Sequence, residues 1–96
     1  MKITKVVLRN KEKEDSRMKA IATVTLDEAF VITGIRLIQG DDKMFIAMPS
    51  RKISEGVYDD IAHPVNQETR KMFEDAIFGD YEEMKKTGEE LVKIEL

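Results

Sequence analysis

The chain has 96 residues, of which 42% are hydrophobic and 36% charged, and its formal net charge is −3. That length suits one domain with a single core. Cysteine is absent, which excludes a disulfide framework, a zinc–thiolate site and a thiol nucleophile. The longest apolar run, MFIAMP, is far too short for a membrane span or a signal-peptide core, so the expected location is the cytoplasm.

From the N-terminus, KITKVVLR (2–9) is rich in β-branched residues and reads as a strand with Thr4, Val6 and Leu8 on one face. NKEKEDS (10–16) breaks the pattern as a charged loop. Residues 18–26 alternate cleanly: Met18, Ala20, Ala22, Val24 and Leu26 point one way, and Lys19, Ile21, Thr23 and Thr25 the other. Strand side chains alternate, so this is a strand with one apolar face. FVITGIRLI (30–38) follows, with Gly34 marking a bulge or a close backbone approach. A turn at 40–43 leads into the apolar strand MFIAM. Pro49 ends that strand or confines it to an edge, because it lacks the N–H a central ladder needs. Gly56 marks another turn, and 57–62 suits a short return strand.

His63-Pro64-Val65-Asn66 changes the pattern. Pro64 disfavours helix at His63, and Asn66 is a good N-cap. Met72, Phe73, Ala76, Ile77, Tyr81 and Met84 then recur at three- and four-residue spacing, which predicts an amphipathic helix over 67–86. Phe78 lies off that stripe and suits either a core gap or a second subunit. Gly88 is the stop. The expected architecture is α+β: an antiparallel sheet of about five strands, with one long C-terminal helix covering one face. The domain is expected to span 1–84, with 85–96 as a short acidic tail. An open sheet leaves edges with unpaired N–H and C=O groups, which motivates an edge-to-edge homodimer.

Catalytic chemistry finds little support. His63 is the sole histidine. Asp59 and Asp60 would face opposite sides of a strand, which is poor geometry for a shared acid–base pair. Asp41 and Asp42 read as turn residues, a loose metal site being the weaker alternative. No phosphate-binding glycine loop, nucleophile elbow or HExxH helix is present. The expectation is a protein that is not an enzyme, with no cofactor, metal or small-molecule substrate. The methionines at 44, 48, 72 and 84 read as core filler.

Net acidity argues against a nucleic-acid ligand, but the charge is unevenly distributed. Residues 1–19 hold seven Lys/Arg against three acids, and 73–96 hold three against eight. A local basic face binds polyanions despite an acidic total. Arg51 and Lys52 follow a strand end in what reads as a loop, and Arg70 and Lys71 lie in the first turns of the helix after Gln67 and Thr69. A helix start offers free N–H groups to a phosphate. The candidate nucleic-acid site is therefore Arg51, Lys52, Gln67, Thr69, Arg70 and Lys71, with solubilising surface charge as the plain reading.

FIAMPS, DIAHP and N..TR, together with RMKAIATVTLDEAFVITGIRLI, resemble the SpoVG family of small bacterial regulators from Met1 to about Tyr81. The resemblance implies an antiparallel sheet with a helix, a homodimer, DNA and RNA as partners, and roles in sporulation, septation or virulence. It links basic residues at the helix start and the neighbouring loop to nucleic-acid contact. Met72 stands where members often carry lysine, and Lys71 where they often have a small residue. Val7 replaces a frequent arginine, and Lys5 a frequent acid. A second reading, a protein-interaction module in cell-division control without nucleic-acid contact, rests on the net negative charge and on the lack of stacking aromatics near the cations.

Overall fold

The computed structural model describes residues 1–11 and 16–96; positions 12–15 of the expected loop lie outside the described residues. Seven strands and one helix follow in order: β1 (Ile3–Asn10), β2 (Met18–Leu26), β3 (Phe30–Gln39), β4 (Met44–Ala47), β5 (Ser50–Ser54), β6 (Val57–Asp60), α1 (Gln67–Thr87) and β7 (Leu91–Glu95). The main sheet has five strands in the order β4-β3-β2-β1-β7, and β5 and β6 form a separate two-stranded hairpin. Every pairing is antiparallel.

The alternation in β2 sets the layering. Ala20, Ala22, Val24 and Leu26 are buried, and their neighbours in the ladder are Leu8 and Val6 of β1 and Ile35 and Leu37 of β3. On that side α1 lays down Phe73, Ile77, Tyr81 and Met84, all buried. Burying a side chain of that size stabilises by roughly 1.5–3 kcal/mol. Phe78 and Met72 are half-buried against the same core, which places Phe78 as core filler within the chain. Among the described residues the opposite face of the sheet carries no helix.

Local chemistry explains the element ends. Asn66 Oδ1 accepts from the Thr69 amide at 2.8 Å and caps α1. Gly88 sits at φ 72° and donates to the Met84 carbonyl, which closes the helix in the left-handed conformation that glycine tolerates. We expect Asn66→Ala to lower stability by about 1 kcal/mol, seen in a thermal melt as a fall of about 4–8 °C. Gly34 sits at φ 79°, beside the register shift between Ala22 and Val24, so the expected bulge is present.

Four expectations are corrected. Thr4 does not share the buried face of Val6 and Leu8: a register shift between Ile3 and Lys5 turns it aside, and Ile3 takes the core position. Residues 50–54 are a strand rather than a loop, because Gly56 at φ 75° closes a hairpin and pairs β5 with β6. The return strand therefore belongs to that hairpin and not to the main sheet. The fifth strand of the sheet is instead β7, from the segment expected to be a tail: α1 runs to Thr87, and Leu91–Glu95 pairs along β1 with Val92 buried. A five-residue strand with two apolar inward positions is too short to stand out by periodicity.

Candidate nucleic-acid interface

The six expected site residues fall on two elements. Arg51 and Lys52 are exposed on β5, and Gln67, Thr69, Arg70 and Lys71 form the first turn and a half of α1. Their charges are mostly engaged. Lys52 Nζ lies 2.9 Å from Glu55 Oε2, and Lys71 Nζ lies 2.9 Å from Asp75 Oδ2. The hydrogen bond to Asp75, followed by its charge, holds the Lys71 ammonium above its ordinary value. Both pairs are solvent-exposed, and such pairs contribute little to stability, so a phosphate can displace the carboxylate. Arg70 is half-buried and donates from Nη2 to the Ile46 carbonyl on β4 at 3.0 Å. It is a latch between the helix and an edge strand. Arg51 makes no ion pair among the described residues, although Asp59 stands opposite it on β6. The Thr69 amide is taken by Asn66. The helix start and the hairpin therefore carry four cations set among Glu55, Asp59, Asp60, Glu68, Glu74 and Asp75, and the pair of elements is not a net-positive rim.

Arg36 is the residue missed in the sequence. From β3 its Nη2 donates to the Met48 carbonyl at 3.3 Å and to Ser50 Oγ at 3.4 Å. Arg36 thus ties the β4–β5 connection to β3, while Arg70 ties β4 to α1. Only the strand pairing reveals that role, since nothing marks Arg36 within FVITGIRLI.

His63 is exposed, with Nδ1 3.0 Å from the Pro64 carbonyl, and borders a shallow cleft with Met48, Thr69 and Phe73. No helix among the described residues is long and apolar enough to cross a membrane.

An open antiparallel sheet with one helix on a single face, extended by a free hairpin, defines a small α+β domain whose exposed features are surfaces rather than a deep pocket. The chain belongs to the SpoVG family, whose model matches residues 1–83. A septation protein SpoVG from Alkaliphilus oremlandii is 49% identical over 90 residues, covering 94% of this chain and 96% of the relative. One from Caldicellulosiruptor bescii is 49% identical over 89 residues, covering 93% of this chain and all of the relative (100%). One from Staphylococcus aureus is 48% identical over 84 residues, covering 88% and 83%.

Proposed function

We propose that this protein is a homodimeric regulator in septation or sporulation control that acts by binding DNA or RNA. Membership of the SpoVG family over 1–83 carries the septation role. Nucleic-acid binding is supported by the uneven charge: a chain of net −3 concentrates seven cations in its first 19 residues, and a local basic surface attracts a polyanion despite an acidic total. Arg51 is the part of the expected rim best able to meet a phosphate, because Lys52 and Lys71 are ion-paired and Arg70 is engaged with the Ile46 carbonyl.

The β5–β6 hairpin supports the second copy. A two-stranded hairpin alone is marginally stable in water, yet here Tyr58 is 63% and Ile61 67% exposed, with Ile53 and Val57 exposed beside them. Phe30, Val31 and Ile61 line a neighbouring shallow groove. The main sheet keeps two edge strands, β4 and β7, as further places for edge-to-edge pairing, although Arg70 already occupies a β4 carbonyl. The same apolar hairpin favours the alternative reading, a module that docks another protein without touching nucleic acid.

Fluorescence anisotropy with labelled DNA and RNA oligonucleotides at two ionic strengths tests the proposal. We expect binding that weakens as salt rises, because each phosphate contact releases counterions. Absence of binding to any oligonucleotide at the lower salt, with a protein partner captured through the hairpin, would favour the alternative. Reversing Arg51 and Lys71 together leaves the Arg70 latch intact, and we expect it to weaken binding by less than about 10-fold.

A further inference from the structure

The helix-free face of the main sheet holds a concentration of cations that the linear sequence disperses. Strand pairing places Leu91, Arg9, Ile21, Arg36 and Ala47 side by side in one row across all five strands. The next outward position on β1, Val7, stands between Thr23 on β2 and Lys93 on β7. One position further, Lys5 stands between Thr25 and Glu95. Among the described residues the face thus carries four cations placed by the strand register, Lys5, Arg9, Arg36 and Lys93, against Glu95, with Glu28 at its end beside Lys5.

That is a formal +2 for the face, so the rest of the chain must carry −5 to reach the total of −3. No other surface described above reaches a positive balance. The ground between the cations is Thr23, Thr25, Val7 and Ile21, all half-buried and short or branched, which gives a low floor with charged tips above it. Neighbouring strands are about 4.8 Å apart, so the five strands present a platform about 19 Å wide. A second copy of this chain is a poor occupant, because face-to-face packing would set +2 against +2. A polyanion of extended shape is the complementary one.

We propose that the open face of the β4-β3-β2-β1-β7 sheet is the main phosphodiester-binding surface of this protein, with Arg9 and Lys93 as its principal contacts. The proposal rests on the nucleic-acid reading above and relocates its centre from the helix start to the opposite side of the sheet. Among the described residues the floor carries no aromatic side chain except Phe45 at the β4 edge, so bases are not held by a stacking ladder. Backbone contact dominates, and binding should depend on salt more than on sequence.

The experiment compares wild type, Arg9→Glu/Lys93→Glu, Arg9→Gln/Lys93→Gln and Arg51→Glu/Lys71→Glu. Probes are labelled single- and double-stranded DNA and RNA of mixed sequence, across a salt series. Both sheet-face residues are exposed, and a thermal melt verifies that each variant folds. We expect the sheet-face reversal to weaken binding at least ~30-fold at low salt and to lower the slope of log affinity against log salt by about 1.5–2, with the glutamine pair intermediate. The single- and double-stranded arms show which form of the backbone the platform accepts. Equal affinity of the sheet-face variants and wild type, with loss confined to the Arg51/Lys71 variant, overturns this surface and leaves the nucleic-acid reading standing. Failure of wild type to bind any probe overturns both. A change in oligomeric mass in the glutamine pair, without a change in the salt slope, assigns the face to self-association and likewise overturns it.

Discussion

Asp80→Asn is expected to melt about 10 °C above wild type at pH 7, a gain of about 2 kcal/mol. Asp80 is 5% exposed on the sheet-facing side of α1, between Ile77 and Met84 in the helix sequence. Its Oδ2 accepts no hydrogen bond among the described residues. Burial pushes its carboxyl up from 3.8 to about 6. The folded state therefore holds a proton between about pH 4 and 6 that the unfolded chain has released. Stability from this group is fully present below about pH 4, falls as pH rises, and is lost above about pH 6, by linkage up to about 3 kcal/mol. Asparagine removes the charge but still buries polar atoms, so part of the gain is forfeited. Chemical denaturation of both proteins from pH 4 to 7 measures the difference. Wild type and variant should converge at the acid end and separate toward neutrality. Parallel profiles, or a variant less stable at pH 7, would show that Asp80 is neutral or well satisfied in the folded state.

Truncation after Glu90 should destabilise the fold by roughly 3–5 kcal/mol, from the loss of two inward apolar side chains and a row of ladder hydrogen bonds. Removing Leu91–Leu96 takes away Val92 and Ile94, which stand beside Leu8 and Val6 on β1, and the amide pairing along Lys5–Arg9. Native domains are stable by only about 5–15 kcal/mol, so the shortened chain sits near the unfolding threshold at 37 °C. The bared β1 edge is also a template for intermolecular pairing, so light scattering should rise with concentration. A truncated chain that melts within about 2 °C of the full one would mean that β7 is a passive appendage.

Much of the scaffold was legible because single residues forced it. The strict alternation of β2 fixed its two faces, Gly34 fixed a bulge, and the Asn66 cap with the Phe73–Ile77–Tyr81–Met84 stripe fixed the helix. The unread parts lacked such marks. β5 is exposed along most of its length and β6 along all of it, so neither shows an inside and an outside to alternate between. The candidate site was the least legible. Lys52 and Lys71 were visible as cations, but their partners Glu55 and Asp75 act only once backbone geometry brings them to 2.9 Å. Arg9, Arg36 and Lys93 are far apart in the chain and meet only through the register of four strands, which local sequence does not encode.

The place of β7 beside β1 has a consequence for synthesis. The N-terminal strand emerges from the ribosome first, yet its outer neighbour begins at Leu91, more than 80 residues later. Until then a nascent chain can pair β1 with β2 and β2 with β3 but must leave one flank of β1 bare. Such long-range closure is slow and exposed to error. The charged side chains of Lys5 and Arg9 along that flank act in the interval as repellent guards against pairing with a neighbouring nascent copy.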